Sequence, residues 1–332
     1  MNAYFCSTYY HILITVLKNV DDRGKNDIYI MDLIPTAKEL YTRIQGTGIF
    51  KKTYLLETPA SFKDKNTFQK LFWKKIAKKH ISATFHLSTE QYDELFIFMD
   101  DTWLAHYFKI FNIKYNLIED SLNSFKFIKN TVYYRMVDKS ANGWLYKVWK
   151  IFPWGEGNYQ YFFDSPCVKS IEVNEKKGTI FEDRDHVIEV PRQCLLDKLN
   201  NEDVQLLVSS IFIDDLSALK IDNIAIIFTS PFYDDKIISS EKEQYELYER
   251  LIKGYVHRYN VLIKPHPRDI VNYSSIPEIR VLPSSFPSEL LNYIVKGKVK
   301  KYVSIASHCV DIYPREMVDF FSLEEAKRKL YD

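Results

Sequence analysis

Short apolar runs alternate with helical segments through the second half of the chain, from about residue 224 to about residue 305. The first run, at Ile224–Phe228, is continuously apolar, which is typical of a strand buried on both faces of a parallel sheet. Further strands are predicted at Val261–Ile263, Ile279–Leu282 and Tyr302–Ile305. Strands that alternate with helices indicate βαβ units, so this rhythm restricts the second half to a parallel α/β fold.

Two helices are predicted between these strands. Ser240 and Glu243 form a capping box, and apolar residues then recur at helical spacing from Leu247 to Val256. Pro287 is expected at the first position of the second helix, which ends near Val295. Each helix therefore follows a polar loop, as the crossover connections of a parallel sheet require.

The first half has a weaker pattern of the same kind. Strands are predicted there at Ala3–Cys6, Asp27–Ile30, Leu95–Phe98 and Tyr115–Ile118, and a helix that bridges two lobes is predicted at Asn201–Phe212. The chain has 332 residues, which is long for one core and suits two domains. We therefore expect an N-terminal Rossmann-like lobe at 1–215, which includes the linking helix, a C-terminal nucleotide-binding lobe at 216–332, and a cleft between them.

Composition and charge exclude several classes of protein. No segment approaches the roughly 18 consecutive apolar residues of a membrane-spanning helix. The net charge of +1 argues against a nucleic-acid partner, because phosphate-driven affinity needs a clear cationic excess. The four cysteines are scattered without CxxC spacing, and the N-terminal segment lacks the features of a signal peptide. We therefore expect a cytoplasmic protein with free thiols.

Polar residues gather in the loops that follow the predicted strands of the second half. Ligands of an open parallel sheet bind at the carboxyl ends of the strands. The loops in that position are Thr229–Asp235, Lys264–Asp269, Pro283–Ser288 and Ser304–His308. They offer hydroxyls, a histidine, cations and carboxylates, which suits a sugar nucleotide whose phosphate must be held.

His266 stands between two prolines directly after a predicted strand, so its backbone is stiff and its imidazole is expected to point outward. With Lys264 and Arg268 it forms a group that can neutralise and protonate a departing phosphate. A turn histidine that only caps or packs is the alternative. The last of these strands is followed by Ser304, Ser307 and His308. Hydroxyls and backbone amides at a helix N-terminus there would bind a phosphate. A serine that only caps the helix explains the sequence equally well.

Acidic pairs provide candidates for a general base. Glu119 and Asp120 follow the predicted strand Tyr115–Ile118, and a carboxylate there could accept the proton of an attacking sugar hydroxyl. Asp234 and Asp235 form a second pair in the first loop of the C-terminal lobe. Taken singly, such pairs are common as solvated loop ends. None is accompanied by a histidine cluster, so we expect no metal site.

Two basic aromatic stretches, at residues 68–80 and 144–154, have the composition of amphipathic helices that lie on anionic lipid. Solvated helices with ordinary apolar faces explain them equally well. Peripheral contact with the inner face of the cell membrane is thus compatible with the sequence, as is a homodimer.

Four motifs stand in a fixed order between Cys6 and His308: CSTYYHILITVL, KPHPRD, FPSELL and SIASH. They resemble the first strand with its polar turn, the His-Pro motif, the Pro-x-Glu element and the serine motif of bacterial sialyltransferases. The resemblance is strongest to glycosyltransferase family 52, the lipooligosaccharide and capsule sialyltransferase group. It extends over most of the chain.

The resemblance implies an α/β fold of the GT-B type, a CMP-sialic acid donor, inversion at the anomeric carbon, and no metal or other cofactor. His266 would protonate or hydrogen-bond the CMP phosphate, Ser304 and Ser307 would hold that phosphate, and Glu289 would bind the ribose or cytosine. The other implied substrate-binding residues are Ser7, Thr8, Tyr10, Glu119, Lys264, Pro265, Arg268, Ser285, Phe286, Pro287 and His308.

One departure leaves the base open. Related bacterial families have glycine after the acidic pair, whereas Ser121 follows Glu119 and Asp120 in this chain. Asp120 therefore competes with Asp235 and its neighbour Asp234, and the family resemblance favours a carboxylate of the C-terminal lobe. The expected acceptor is a terminal galactoside of a bacterial surface glycan. The alternatives are a GT-B transferase with another donor, such as a UDP-hexose, and a non-catalytic protein that binds glycans or sugar nucleotides.

Overall fold

A computed structural model describes residues 1–59, 85–100, 102–122, 124–128, 165–179, 182–310 and 313–331. The chain forms two compact units, Met1–Lys198 and Leu199–Asp332. The basic aromatic stretches at 68–80 and 144–154 lie outside the described residues.

A seven-stranded parallel sheet forms the centre of the first unit, in the order β3-β2-β1-β4-β5-β6-β7. Its strands are β1 Asn2–Cys6, β2 Asp27–Met31, β3 Lys52–Leu56, β4 Glu94–Ile97, β5 Tyr115–Ile118, β6 Val168–Val173 and β7 Val187–Glu189. Its described helices are α1 Tyr9–Asn19, α2 Ala37–Thr47, α3 Trp103–Phe111, α4 Ser124–Ile128 and α5 Arg192–Leu196.

The four strands predicted in this half are confirmed within one residue at each end. Strands β2 and β5 are buried along their whole length, which agrees with their apolar sequences. Strands β3, β6 and β7 were not predicted. Strand β3 begins with two polar residues, β6 mixes apolar and polar residues, and β7 has only 3 residues, so none has an apolar run longer than three residues.

A buried ion network connects three elements of the first unit. Glu172 on β6 accepts from Lys18 Nζ of α1 at 2.6 Å and from Arg192 Nη1 of α5 at 2.6 Å. Arg192 is fully buried and Glu172 is mostly buried, so the two cations compensate a carboxylate that would otherwise be costly to remove from water. The network holds α1 at a defined position against the sheet.

The second unit has a five-stranded parallel sheet in the order β10-β9-β8-β11-β12. The strands are β8 Ile224–Phe228, β9 Asn260–Lys264, β10 Ile279–Val281, β11 Val299–Ile305 and β12 Val318–Phe321. The helices are α6 Glu202–Phe212, α7 Glu241–Lys253, α8 Ser288–Ile294 and α9 Leu323–Tyr331. All four predicted strands of this half are confirmed, whereas β12, a short edge strand, was not predicted.

Two local details differ from the sequence-based expectations. Helix α6 contacts α8 and belongs to the second unit, whereas the predicted boundary at 215 and 216 assigned it to the first lobe. Its buried residues Val208, Ile211 and Phe212 explain this position, because an apolar face must pack on a neighbouring element. Pro287 is the N-cap of α8 instead of its first helical residue, with an extended ψ of 132°.

The strand order reverses once in each sheet. In the first unit the reversal lies between β1 and β4, and in the second between β8 and β11. Loops on the two sides of such a reversal leave in opposite directions and open a crevice at the carboxyl edge of the sheet, where ligands of doubly wound folds bind. Each unit therefore has one preferred place for a site.

Candidate active site

A chain of hydrogen bonds holds the His266 loop at the carboxyl edge of the second sheet. The His266 backbone N–H donates to Thr229 Oγ1 at 3.1 Å, and the Thr229 hydroxyl donates to the Asp269 carboxylate. Asp269 also accepts from Gln244 Nε2 at 2.8 Å and from the Tyr273 hydroxyl at 3.0 Å. Because these partners come from the ends of β8 and β9 and from α7, the loop carrying His266 has a defined position before any ligand binds.

The protonation state of the His266 side chain follows from its neighbours. Nδ1 accepts the Arg268 backbone N–H at 3.1 Å, so the ring hydrogen of the neutral form is on Nε2. Burial, followed by the positive charges of Arg268 and Lys264, lowers the pKa of His266 to about 4. His266 is therefore neutral near pH 7 in the free protein and presents Nε2–H as a hydrogen-bond donor.

The second acidic pair is bound to Arg268. Arg268 Nη1 lies 2.6 Å from Asp235 Oδ1 and 3.1 Å from Asp234 Oδ2, and Nη2 lies 3.3 Å from Asp235 Oδ2. The Arg268 side chain is 57% exposed, so the ion pairs contribute at most about 1 kcal/mol to stability. They nevertheless neutralise the charges of the partners. The Arg268 guanidinium is therefore less able to bind a phosphate, and the two carboxylates are less able to accept a proton.

Lys264 lies buried beneath the same loops. Its Nζ donates to the Pro265 carbonyl and to the Ser284 carbonyl, the latter at 3.2 Å. Burial lowers the pKa of Lys264 to about 8, with Glu289 acting in the opposite direction. Burial likewise raises the pKa of Glu289, the partly buried acid of the first turn of α8. Lys264 thus braces two predicted substrate-binding loops from inside while adding positive potential beneath them.

The serine segment differs from the predicted helix N-terminus. Buried Ser304 donates its hydroxyl to the Ser307 carbonyl at 3.0 Å, and Ala306 between them has a positive φ of 54°. Within the described residues, a short 3₁₀ turn at His308–Val310 follows, in place of an α-helix. The Ser304 hydroxyl is thus buried and used in shaping the turn, and both serine side chains also hydrogen-bond to Cys309. Ser307 is the more accessible of the two, since it is only partly buried.

The remaining predicted residues of this unit differ in accessibility. Pro265, Phe286 and Pro287 are buried, and Ser285 is partly buried. Phe286 has only 1% of its surface exposed, so it supports the loop after β10 instead of offering a face for stacking. Ser230, which was not singled out, donates to the Ile305 carbonyl at 3.0 Å and connects the loops of β8 and β11 across the reversal.

A second polar cluster lies at the carboxyl edge of the first sheet. Asp120 follows β5, and its Oδ1 lies 2.7 Å from Nε2 of His11 in the first turn of α1. His11 Nδ1 accepts the Ser7 backbone N–H at 3.2 Å and lies 3.1 Å from Ser7 Oγ. The ring stacks on Phe98 with centroids 4.2 Å apart. Sequence reasoning missed His11, because it stands inside an apolar helical run where a histidine usually packs in a core.

The other predicted residues of this unit have structural contacts. Glu119 is buried, and its carboxylate accepts the backbone N–H groups of Phe125 at 3.1 Å and Asn174 at 2.6 Å. Thr8 is the N-cap of α1 and accepts the His11 N–H at 3.2 Å. Tyr10 is partly buried and meets the His11 ring edge-on at 6.4 Å. Of the predicted acidic pair, only Asp120 faces solvent.

Three further findings bear on the class of protein. Among the described residues, no three or more His, Cys, Asp or Glu side chains are grouped as metal ligands. None of the described helices combines the length and apolarity needed to cross a membrane. The four cysteines are free thiols, as expected.

Two parallel α/β units, each with a Rossmann-type reversal of strand order, are the architecture of the GT-B fold type. The model of Glycosyltransferase family 52 matches residues 50–320, and the chain belongs to that family. A search of curated protein sequences found no match.

Two solved structures are similar to the chain. One is a 2,6-sialyltransferase of Vibrionaceae Photobacterium sp. JT-ISH-224 in a ternary complex with the donor product CMP and the acceptor substrate lactose. The two structures have a TM-score of 0.57 and 14% sequence identity, and the match covers 96% of this chain and 71% of the Photobacterium chain. The other is the GT-B domain of a sialyltransferase from Photobacterium damselae, with a TM-score of 0.47 and 14% identity, over 97% of this chain and 90% of that one. At this identity the first similarity establishes the fold.

Proposed function

We propose that this family 52 glycosyltransferase transfers sialic acid from CMP-sialic acid to a hydroxyl of a terminal galactoside on a bacterial surface glycan, of capsule or lipooligosaccharide type, with inversion at the anomeric carbon. The observation that carries the proposal is the position of His266, whose Nε2–H donor stands on a preorganised loop at the carboxyl edge of the second sheet, next to Lys264. The similarly folded Photobacterium enzyme with CMP and lactose supports this donor and acceptor.

On the donor side, the bond between the anomeric carbon and the phosphate oxygen breaks, and its electron pair leaves with CMP. Negative charge develops on that oxygen, where the His266 Nε2–H donates a hydrogen bond that strengthens as the charge grows. The neutral imidazole keeps this proton, so His266 stabilises the leaving oxygen as a hydrogen-bond donor. Ser304 and Ser307 are proposed to hold the phosphate, and Glu289 the ribose or cytosine.

On the acceptor side, a carboxylate takes the proton of the attacking hydroxyl as the new bond to the anomeric carbon forms. Asp120, Asp234 and Asp235 are the candidates. Asp120 is bound to Nε2 of His11, whereas Asp234 and Asp235 share the Arg268 guanidinium. We propose no metal, because the leaving group carries a single phosphate and nearby cations and hydroxyls are enough to stabilise its charge.

Nucleotide binding and turnover together test the proposal. A ligand that binds only the folded state stabilises it by about 2.7 kcal/mol at a hundredfold excess over Kd, so CMP and CDP should raise the unfolding temperature. UDP serves as the matched control and should have little effect. The protein should also release CMP from CMP-sialic acid and form a sialylated product with lactose.

The possible failures have different meanings. Stabilisation by UDP without stabilisation by CMP would indicate that the donor is a UDP-sugar and not CMP-sialic acid. Stabilisation by CMP without turnover on any galactoside would indicate a binding protein. We propose peripheral membrane contact together with the surface-glycan acceptor, because an acceptor built on a lipid carrier would lie at the membrane.

A further inference from the structure

Gln244 is buried in α7, between two loops of the candidate site, and has 0% of its surface exposed. Its Oε1 accepts the Tyr233 backbone N–H at 2.8 Å, and its Nε2 donates to Asp269 Oδ1 at 2.8 Å and to the Tyr273 hydroxyl at 2.9 Å. A backbone N–H can only donate, so the contact with Tyr233 determines which end of the amide is the oxygen. The amide therefore presents its N–H groups to Asp269 in one orientation.

These contacts connect the loop after β8 to the loop after β9. Tyr233 stands directly before the second acidic pair in the loop after β8. Asp269 ends the loop of His266, and the Thr229 hydroxyl that donates to Asp269 also accepts the His266 N–H at 3.1 Å. The Gln244 amide therefore holds the two loops at one spacing, and its effect reaches His266 through three hydrogen bonds. All of these groups belong to the second unit.

The Asp269 carboxylate depends on the amide as a donor. Burial raises the pKa of Asp269, and its hydrogen bonds act in the opposite direction, that of Thr229 first. Within the described residues its donors are the Gln244 amide, the Val271 N–H at 3.1 Å, and the hydroxyls of Thr229 and Tyr273. Loss of the amide would remove a donor from Oδ1 and an acceptor from the loop after β8. Unpaired buried polar groups are costly, so both loops would shift toward new partners.

We propose that Gln244 is a positioning residue for the transfer, and that its amide holds the loop of His266 and the loop of the second acidic pair at the spacing that the leaving phosphate requires. The inference rests on the proposed function. In the transfer, the acceptor oxygen bonds to the anomeric carbon and loses its proton to a carboxylate, while the electron pair of the broken bond leaves with CMP. Gln244 is buried and acts on the leaving oxygen through the His266 Nε2–H, whose alignment a shift of about 1 Å would remove.

A pair of matched substitutions tests the amide. Gln244→Met retains the length of the side chain and removes its hydrogen-bonding groups, so kcat for sialyl transfer to lactose should fall on the order of 10²-fold, with a much smaller change in KM for the donor. Gln205 is the fourth residue of α6, as Gln244 is of α7, and its amide donates to the Leu199 carbonyl at 3.3 Å. Gln205→Met should transfer at the wild-type rate. CMP should still raise the unfolding temperature of both variants, which checks that the nucleotide site is folded.

Gln244→Glu provides a pH dependence that packing alone would not produce. Its carboxyl group keeps an acceptor for the Tyr233 N–H and, when protonated, a donor for Asp269. Two carboxyl groups this close share a proton at low pH and repel each other once it is lost. The kcat of folded Gln244→Glu, divided by that of the wild type, should therefore fall as the pH rises from about 5 to about 8. The same ratio for Gln244→Met should stay nearly constant. Division by the wild-type value removes the titration of Lys264 and His266, which all the proteins share.

A double substitution localises the effect to His266. In a His266→Ala background, Gln244→Met should lower kcat by less than about threefold, because residues that act together are not additive. Release of CMP from CMP-sialic acid without acceptor should fall by a factor similar to that for transfer, since the leaving oxygen is the same in both reactions. Thr229→Ser, which retains the connecting hydroxyl, should be about tenfold more active than Thr229→Val.

The inference is wrong if folded Gln244→Met transfers within about threefold of the wild type, or if its loss of kcat is as large in the His266→Ala background as in the wild type. A pH-independent ratio for Gln244→Glu would also overturn it, as would failure of that variant to fold near pH 5, where its hydrogen bonds can form. Gln244→Glu at about pH 8 replaces Gln244→Met in these comparisons if the latter does not fold. A wild-type protein that releases no CMP from CMP-sialic acid would instead defeat the proposed function itself, and this inference with it.

Discussion

At the scale of single residues, His266 has a stiff backbone and a defined ring state. Its loop is bonded through Thr229 to Asp269, and its Nδ1 is occupied by the Arg268 N–H. Because burial and nearby cations lower the pKa of His266 to about 4, the free protein holds it neutral at physiological pH. Its proposed assistance to the leaving phosphate is therefore a hydrogen bond from Nε2–H.

Replacement of His266 tests this role. His266→Ala should lower kcat about 10² to 10⁴-fold with a much smaller change in donor affinity, because the hydrogen bond strengthens in the transition state. His266→Gln, which retains an N–H near the position of Nε2, should be more active than His266→Ala. Turnover with CMP-sialic acid and lactose is measured on variants whose fold is checked by circular dichroism. A folded His266→Ala protein with more than about a third of wild-type turnover would contradict the assistance that we propose for the Nε2–H donor.

At the scale of elements, the capping box at the start of α7 has the predicted residues, but one of its two hydrogen bonds goes to a different residue. Ser240 accepts the Glu243 N–H at 3.1 Å, as predicted. Glu243 reaches back to the N–H and hydroxyl of Ser239 at 3.0 Å and 2.6 Å, one residue before the N-cap. Lys327 of α9 binds the same carboxylate at 2.8 Å, so the box also connects α7 to the last described helix.

The Glu243 contacts predict a pH-dependent contribution to stability. The hydrogen bond from Lys327, followed by those from Ser239, lowers the pKa of Glu243 to about 2. A carboxyl group whose pKa is lowered by folding stabilises the folded state above its usual pKa, and this stabilisation is lost as the pH falls toward 2. Glu243→Gln should therefore unfold at lower urea concentration than the wild type at pH 7, and the difference should shrink between about pH 4.5 and pH 2.

Two controls belong to this measurement. Glu241→Gln changes an exposed acid of the same helical turn and should have a smaller effect at every pH. Ser240→Ala removes the N-cap acceptor and should cost about 1 kcal/mol. An equal loss of stability for Glu243→Gln at pH 7 and pH 3 would contradict the assignment of the ion pair.

At the scale of the whole molecule, charge is nearly balanced, with 45 Lys and Arg against 44 Asp and Glu. Attraction for an anionic donor must therefore come from local arrangements, such as Lys264 beneath the loops of the second sheet. A few nearby charges agree with the metal-independent transfer that we propose, because one phosphate carries less negative charge to neutralise than a diphosphate.

Chelation tests that proposal on the intact protein. Turnover with CMP-sialic acid and lactose should be unchanged by excess EDTA. The matched measurement adds Mg²⁺ or Mn²⁺ to the chelated protein and should produce no further increase. Activity that disappears with EDTA and returns with either ion would contradict metal independence.

Features that depend on short segments were predictable. The apolar run at Ile224–Phe228 predicted its strand with the observed bounds, and the Pro-His-Pro sequence indicated that His266 would stand on a stiff loop at the carboxyl end of a strand. Both follow from local rules of burial and backbone restriction. Strands β3 and β12 were missed because each is short and includes polar residues, and a neighbouring strand supplies their hydrogen-bond partners.

By itself, the sequence determined the α/β class, most strands of the two sheets, and the position of the His266 loop at a sheet edge, because each of these depends on residues close together in the chain. Only the tertiary structure decided which side chains meet. His11 and Asp120 are 109 positions apart, and Arg268 and Asp235 are 33 apart, so no local pattern relates them. The membership of α6 in the second unit and the use of the Ser304 hydroxyl within its own turn were decided in the same way, since packing and hydrogen-bond partners exist only after the chain has folded.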